Sequence, residues 1–405
     1  MKLTIGLIRE GKTPPDSRVP LTPLQCKQAQ LNSNIEIVVE KSPNRCYSDD
    51  EYLAAGVKLV EDVSECDVLL GVKEVPINNL IPNKTYFFFS HTIKKQPYNQ
   101  DMLISILDKG ITLVDYEVLT ADNGSRLIAF GRFAGMVGAH NGIMAYGRKS
   151  GLFDLFRMKD CLDYKAAKSK YDAINFPNLK IVLTGNGRVA NGAAEVLVDM
   201  GFTKIDPSKF LDEKQEGGVF TQLSPSEYVE HSEGKDFVQA DFFTNPKNYQ
   251  SKFLPFTRFA DLMINGIYWD NEAPAFFSLE EMRHPDFKIS VIADVTCDIA
   301  PISSIPSTLF ASTIENPVFG FDPITGSEKV PYQSDFIDMM TVDNLPNELP
   351  RDASEAFGQM FMDHIMPELM EDNSSILERA TIAENGRLGK HFEYLSGYVD
   401  RVLNE

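Results

Sequence analysis

One stretch, Val68 to Lys95 (VLLGVKEVPINNLIPNKTYFFFSHTIKK), does most to limit what this chain can fold into. Two short apolar runs, Val68 to Val72 and Tyr86 to Phe89, are bounded by turn residues. Each has the length and composition of a buried strand. Each also ends in polar residues: Lys73 and Glu74 after the first, Ser90 and His91 after the second. In an open parallel sheet the carboxyl ends of adjacent strands line one crevice, and ligands bind there. A lysine and a histidine delivered to that crevice form a candidate acid/base pair. Burial among other cations brings a lysine toward neutrality, and histidine titrates there unaided. A solvated lysine at a strand end and a capping histidine are the plainer alternative.

The same alternation runs through the first 120 or so residues. Leu3 to Leu7 and Ile35 to Val39 read as strands, as do Asp67 to Val72 and the run ITLVDYEVL, which carries Asp115 and Glu117. LTPLQCKQAQ reads as a helix with Thr22 as N-cap and Pro23 at its first position. NQDMLISILDKG is an amphipathic helix stopped by Gly110. Strand and helix in alternation mean a doubly wound parallel sheet.

A chain of 405 residues exceeds one ordinary core, so two or three domains are expected. The formal net charge of −19 argues against nucleic acid and anionic membranes as partners. An anionic substrate then needs a local cationic pocket. Five scattered cysteines show no metal-ligand spacing and suit reduced thiols in a cytosol. No metal is expected. The start, MKLTIGLIRE, reads as a charged strand rather than a signal peptide, and no apolar run reaches membrane-spanning length. A cytoplasmic protein is expected.

SRLIAFGRFAGMVGAHNGIMAYGRK (Ser125 to Lys149) punctuates a helical pattern with small residues, which let helices approach closely. Arg126 and Arg132 flank it, open both to surface salt bridges and to anion binding. At Lys180 to Thr184 a strand runs into the tight turn Gly185-Asn186-Gly187 and a helix from Val189 to Met200. This GxGxxA within strand, turn and helix is the context of a dinucleotide site, with the pyrophosphate on the helix N-terminus. The strand FTKI ends at Asp206, near where an acid binds the adenosine ribose, while Ser208 and Lys209 suit a 2′-phosphate. NAD and NADP are both open.

Residues from 207 to about 258 lack a clean period and read as an insertion. LMINGIYW places Asn265 and Gly266 at a strand end, and Asp294, Cys297 and Asp298 follow another strand. Asn344 opens a loop before a long helix capped by Asp352 or Ser354. A final helix is expected over ENGRLGKHFEYLSGYVDRVL, with no sheet core after about residue 335.

Together these segments resemble the alanine dehydrogenase and transhydrogenase superfamily. Within it they are most similar to the lysine–2-oxoglutarate reductases and L-lysine-forming saccharopine dehydrogenases. The matching segments, in order, include GKTPPDSRVPLTP, LLGVKEVP, TYFFFSHTIK, SRLIAFGRFAGMVG, VLTGNGRVANGA, LMINGIYW, IADVTCDI and VDNLPNELPRDASEAFG. The implied fold is α/β, with two doubly wound Rossmann-like domains, a cleft between them, and C-terminal helices returning to the first. Residues 1–135 with 335–405 would be the substrate domain and 136–334 the dinucleotide-binding domain.

The resemblance implies roles residue by residue. Lys73 and His91 match the family's acid/base pair. Arg18 and Arg126 match its anion-binding arginines, with Lys94 and Glu117 in the same pocket. Asp298 matches an acid near the reacting centre. Gly185, Gly187 and Arg188 match the cofactor turn, with Asp206, Asn265 and Asn344 as further cofactor contacts. Ser125 stands where fungal saccharopine dehydrogenases carry a second arginine, and Arg132 is a candidate to replace it. The turn is also one residue shorter than the fungal GxxGRxG. The implied activity is hydride transfer between NAD(P)H and the imine of L-lysine and 2-oxoglutarate, forming or cleaving saccharopine. Reductive amination of pyruvate, as in alanine dehydrogenase, uses the same Arg18, Lys73 and His91. A nucleotide-binding regulator without turnover is the non-enzyme alternative. Partners would be an amino acid and a 2-oxoacid, with a homo-oligomer left open.

Overall fold

The computed structural model describes residues 2–32, 34–212, 216–371 and 373–400. They form two compact units: Met1–Phe130 with Pro350–Glu405, and Gly131–Leu349. The first unit opens with β1 (Leu3–Leu7), β2 (Ile35–Glu40), β3 (Lys58–Val60), β4 (Val68–Leu70), β5 (Thr85–Phe88) and β6 (Thr112–Asp115). The second holds β7 (Lys180–Thr184), β8 (Thr203–Lys204), β9 (Val219–Leu223), β10 (Val229–His231) and β11 (Tyr249–Ser251). It continues with β12 (Leu262–Asn265), β13 (Val291–Asp294), β14 (Val318–Asp322), β15 (Ser327–Lys329) and β16 (Ile337–Met340). The chain then returns to the first unit with β17 (Thr381–Glu384) and β18 (Arg387–Leu388). The main helices are α1 (Pro23–Asn32), α2 (Pro97–Asp108), α3 (Gly131–Ser150), α4 (Arg188–Asp199) and α5 (Pro350–His364).

The first sheet runs β18-β17-β6-β5-β4-β1-β2-β3, parallel from β6 to β3. Its strand order reverses at the β1–β4 pair, the switch point where such sheets bind ligands. Consecutive side chains of β5 face opposite cores. Phe87 packs with Ile5, Ile37 and Phe361, while Phe88 packs with Leu69, Leu103 and Ile106. Burial on both faces explains why these strands read as unbroken apolar runs. On α5, Phe357 and Phe361 lie four residues apart and so share one face, which meets Tyr116, Phe87 and Phe130.

The second sheet runs β15-β14-β16-β13-β12-β7-β9-β8. The six strands β8, β9, β7, β12, β13 and β16 are parallel, and β14 and β15 add antiparallel at one end. Small residues seat α3 against α4 main chain to main chain. A Cβ on Gly135 would stand 1.8 Å from the Val189 carbonyl oxygen, and one on Gly192 would stand 2.0 Å from that of Arg132. Two Rossmann-like units of this kind are the expected fold class.

Two expectations for the C-terminal part are corrected. Sheet core does continue past residue 335, because β16 lies between β13 and β14. Residues 335–349 therefore fall in the second unit, and helix α3 from Gly131 onward joins it too. The segment expected as a final helix begins instead as the hairpin β17–β18. Its turn is Asn385-Gly386, with φ of 50° and 74°. An Asn-Gly pair takes positive φ cheaply and specifies such a hairpin more strongly than local apolar spacing specifies a helix. Beyond it, among the described residues, only the short turns Glu393–Leu395 and Ser396–Val399 are helical, and the last residues of the expected helix, 401–403, lie outside the described residues.

Candidate active site

In the first unit, each strand at the switch point ends by projecting a charged residue. Glu10 follows β1, Lys73 and Glu74 follow β4, His91 follows β5, and Glu117 follows β6. Asp115, buried at the end of β6, ties two of these ends together. It accepts from the Ser90 amide (3.0 Å) and hydroxyl, and from the Glu117 amide (2.7 Å). His91 sits in the left-handed region at φ 54°, and its ring stacks on Phe89 with centroids 6.4 Å apart.

The side chains form one charged cluster. His91 Nε2 stands 3.7 Å from Glu74 Oε1, and Nδ1 stands 3.4 Å from Glu117 Oε2. Lys12 Nζ pairs with the other Glu74 oxygen at 2.7 Å. Arg126 donates to Glu117 Oε1 at 2.9 Å, with Lys94 Nζ 3.6 Å from the same atom. Burial raises the Glu117 carboxyl, but His91, Lys94 and Arg126 outweigh it and hold the group at about 2. Burial, Arg18 and Lys12 lower the Lys73 amine, against Asp16 and Glu74. Glu74 Oε1, His91 Nδ1 and Glu117 Oε2 are buried yet accept or donate no hydrogen bond among the described residues. These atoms face one another at ion-pair distances of 3.4 and 3.7 Å rather than in full hydrogen bonds, and buried polar groups short of such bonds are rare.

Arg18 differs from its expected role as an open carboxylate fork. Asp16 fills that fork through Nε (2.9 Å) and Nη2 (2.6 Å), and the guanidinium lies over Phe130 at 4.3 Å with only 3% of the side chain exposed. Arg18 is therefore a charge set near Lys73, with its bidentate face already used. Arg132, the candidate to replace the arginine missing at Ser125, has its fork occupied. It belongs to the second unit, where it makes a bidentate pair with Glu195 at 2.7–3.0 Å. Ser125 caps its own turn through Asn123.

Three residues here were missed by the sequence reading. Glu74 was read only as a charge beside Lys73, and Lys12 was given no role. Glu10 accepts from the Val72 amide (2.6 Å) and the Lys73 amide (3.0 Å), so it holds the main chain that presents Lys73. Burial raises its carboxyl to about 8, against those two hydrogen bonds. No pattern marks Glu10, because the contact joins residues 62 and 63 positions apart.

In the second unit, β7 runs into Gly185-Asn186-Gly187 as expected. Gly185 has φ 101°, and a Cβ there would stand 2.7 Å from the Gly266 carbonyl oxygen. Nothing lies within 4 Å of a Cβ on Gly187, and no side chain caps α4, which begins at the exposed Arg188. A helix start without a side-chain cap and space at the second glycine fit a dinucleotide pyrophosphate. Two other residues are corrected. Asp206 follows β8, an edge strand; the neighbour of β7 is β9, and Asp206 is 75% exposed beside Lys209. The tip beside β7 is Ser224. Asn265 is fully buried, accepting from Thr184 and donating to Asp294 and Ser304, so it ties strand ends beneath the turn. Asp298 lies half-buried on the turn that Asp294 holds through the Cys297 amide (3.2 Å). Asn344 begins the turn Leu345–Glu348, which buried Glu348 fixes to Asn141 (2.8 Å) and Arg157 (2.9 Å).

These two units and their strand-end sites define a class. Residues 6–137 match the family described as alanine dehydrogenase/PNT, N-terminal domain. The chain's fold is that of L-alanine dehydrogenase, with a TM-score of 0.67 over 98% of this chain and 100% of that one at 15% identity. The chain is 29% identical to an alpha-aminoadipic semialdehyde synthase of Arabidopsis thaliana, over 96% of its own length and 41% of that protein. It is also 26% identical to the saccharopine dehydrogenase [NAD(+), L-lysine-forming] of Emericella nidulans, over 92% of this chain and 94% of that one. The chain thus spans less than half of the synthase it matches. The name of the Emericella nidulans relative includes NAD(+). No helix among the described residues is long and apolar enough to cross a membrane.

Proposed function

We propose that this chain is an NAD(P)-dependent amino-acid dehydrogenase that condenses L-lysine with 2-oxoglutarate and reduces the product: L-lysine + 2-oxoglutarate + NAD(P)H + H+ ⇌ saccharopine + NAD(P)+ + water. The observation that carries it is the set of buried polar atoms, short of full hydrogen bonds, on Glu74, His91 and Glu117 beside Lys73. Anions and cations alternate there, which suits a substrate pair bringing an ammonium as well as carboxylates. The likeness to the synthase and the saccharopine dehydrogenase supports the choice of lysine.

Lys73, its pKa lowered by burial, Arg18 and Lys12, takes the proton from the incoming amine. His91 delivers a proton to the carbinolamine oxygen as water leaves. Proton relays of this kind contribute about 10²–10⁴-fold each. Lys94 and Arg126, both half-exposed, bind substrate carboxylate by exchanging part of their pairing with Glu117. Glu74 and Glu117 hold the imidazole between them. Gly185, Gly187 and Arg188 would hold the dinucleotide, which when bound supplies the hydride. Asp298 and Asn344 lie on neighbouring turns of the same unit.

We propose NADP(H) as the preferred cofactor. The tip of β9 is Ser224, and the nearby Glu227 carboxylate is taken up by the Ser224 amide and hydroxyl (2.6 and 2.8 Å). Lys204 reaches this edge through Gln222 (2.7 Å), which in turn donates to the Gly185 carbonyl (3.1 Å). Lys204 beside this tip suits a 2′-phosphate, and the nearby acid, Glu227, is already engaged by Ser224.

The test is cofactor oxidation followed by absorbance. Rates with 2-oxoglutarate plus lysine, and none with pyruvate plus ammonia, are expected. The reverse result overturns the substrate reading. Initial rates should favour NADPH over NADH by about tenfold or more in kcat/KM, and equal rates would refute the cofactor choice.

A further inference from the structure

One turn of chain presents two residues of the acid/base cluster. Thr92–Lys94 is a single helical turn, and the residues bracketing it, His91 and Lys95, both take left-handed backbone with φ of 54° and 53°. Residues with a Cβ rarely adopt that region, and it persists where the surroundings hold it. On the entry side the holding groups are buried. The Thr92 amide donates to the Ser90 hydroxyl at 3.3 Å, the two hydroxyls pair at 2.8 Å, and Asp115 accepts from Ser90. On the exit side the hold comes from the far end of the chain.

Gln96 follows the turn and precedes α2. Its carbonyl accepts the Asn99 amide at 3.0 Å and also the hydroxyl of Tyr398, 302 positions away. Gln100, on the first turn of α2, returns the bond by donating its side-chain amide to the Tyr398 carbonyl at 2.6 Å. Lys95 Nζ lies over the Tyr394 ring, 5.3 Å from its centroid. Tyr398 and Val399 also pack on the same apolar cluster as Ile93, the middle residue of the turn. Lys94 itself is loosely held: its Nζ stands 3.6 Å from Glu117 Oε1, against 2.9 Å for Arg126, and 53% of its side chain is exposed. Its place in the pocket is therefore set by the main chain of the turn. We propose that Tyr398 is a positioning residue. By holding the Gln96 carbonyl it fixes the exit of the turn, and so the point from which Lys94 meets a substrate carboxylate. This rests on the reading of Lys94 as a carboxylate-binding residue for the oxoacid.

Tyr398→Phe removes the hydroxyl and keeps the ring in the apolar cluster, so the fold is retained. Calorimetric titration of the NADPH-loaded protein with 2-oxoglutarate reads the pocket without turnover. The dissociation constant of the variant should rise by about three- to tenfold, the scale of one hydrogen bond, while NADPH affinity stays as in the wild type. Gln100→Ala should act in the same direction. Lys94→Ala should weaken 2-oxoglutarate binding on its own, and adding Tyr398→Phe to it should cost nothing more, because the hydroxyl acts through Lys94. A merely structural anchor would give losses that add. Unchanged 2-oxoglutarate binding by Tyr398→Phe overturns the inference alone, as do losses that add in full in the double variant. If the wild type does not bind 2-oxoglutarate, or Lys94→Ala binds it equally well, the inference fails together with the reading of Lys94.

Discussion

His91 Nδ1 stands 3.4 Å from Glu117 Oε2, an imidazole and a carboxylate delivered by neighbouring strands of one parallel sheet. Asp115 fixes both from below, because it bonds the Ser90 amide next to His91 and the Glu117 amide. The contact is thus set by strand register, Phe88 against Asp115, rather than by flexible side chains.

Glu117→Gln should remove an acid-side stability window. The carboxyl lies at about 2 in the fold against an ordinary 4.5, so the folded state binds fewer protons between those values. Its stabilisation is complete above about pH 4.5 and is lost as pH falls toward about 2. The gap between wild-type and variant unfolding midpoints should therefore narrow from about pH 5 to about pH 3. A constant gap would mean that the charge contributes nothing.

Lys73→Met should cut turnover by about 10²–10⁴-fold while NADPH binding, read by cofactor fluorescence, stays as in the wild type. Turnover within a factor of two or so of wild type would remove Lys73 from the proton relay.

Glu10→Gln addresses the opposite pH range. The Glu10 carboxyl is raised to about 8 from 4.5, so the fold favours its neutral form. That contribution is present below about pH 4.5 and is lost as pH rises through about 8. Thermal scans of the variant should lose this alkaline decline. Its turnover should also fall, since Val72 and Lys73 each donate to a different carboxyl oxygen and one of these becomes an NH2 donor facing an N–H. Unchanged turnover would make Glu10 a structural residue alone.

Arg132→Ala should leave the KM for the oxoacid unchanged and cost about 0–1 kcal/mol of stability, as an exposed pair with Glu195 does. A KM raised about tenfold would assign Arg132 to the substrate after all.

Much of this was legible in the sequence for a physical reason. Strands buried on both faces, such as Val68–Leu70, have no polar face to confuse with a helix, and the glycine turn at Gly185 sits in a fixed strand–turn–helix context. What stayed hidden depended on pairing at a distance. β9 is only five residues long, inside a segment without period, and its insertion beside β7 puts Ser224 rather than Asp206 just past the tip of the neighbouring strand. Asn265 looked exposed at a strand end, but three neighbouring groups consume it. Glu10 acts on a main chain 62 positions away, which no local pattern can show. The Asn385-Gly386 hairpin was readable and was lost to apolar spacing in the residues after it.

That hairpin sets an order of assembly. β17 completes the first sheet against β6, the strand that carries Asp115, and it lies more than 260 residues downstream of that strand. During synthesis the intervening unit, Gly131–Leu349, emerges whole and can close while the first sheet still lacks its last strands. The ribosome would therefore release a nucleotide-competent unit before the acid/base cluster has a finished floor, and nascent chains stalled before β17 should bind cofactor without turning it over.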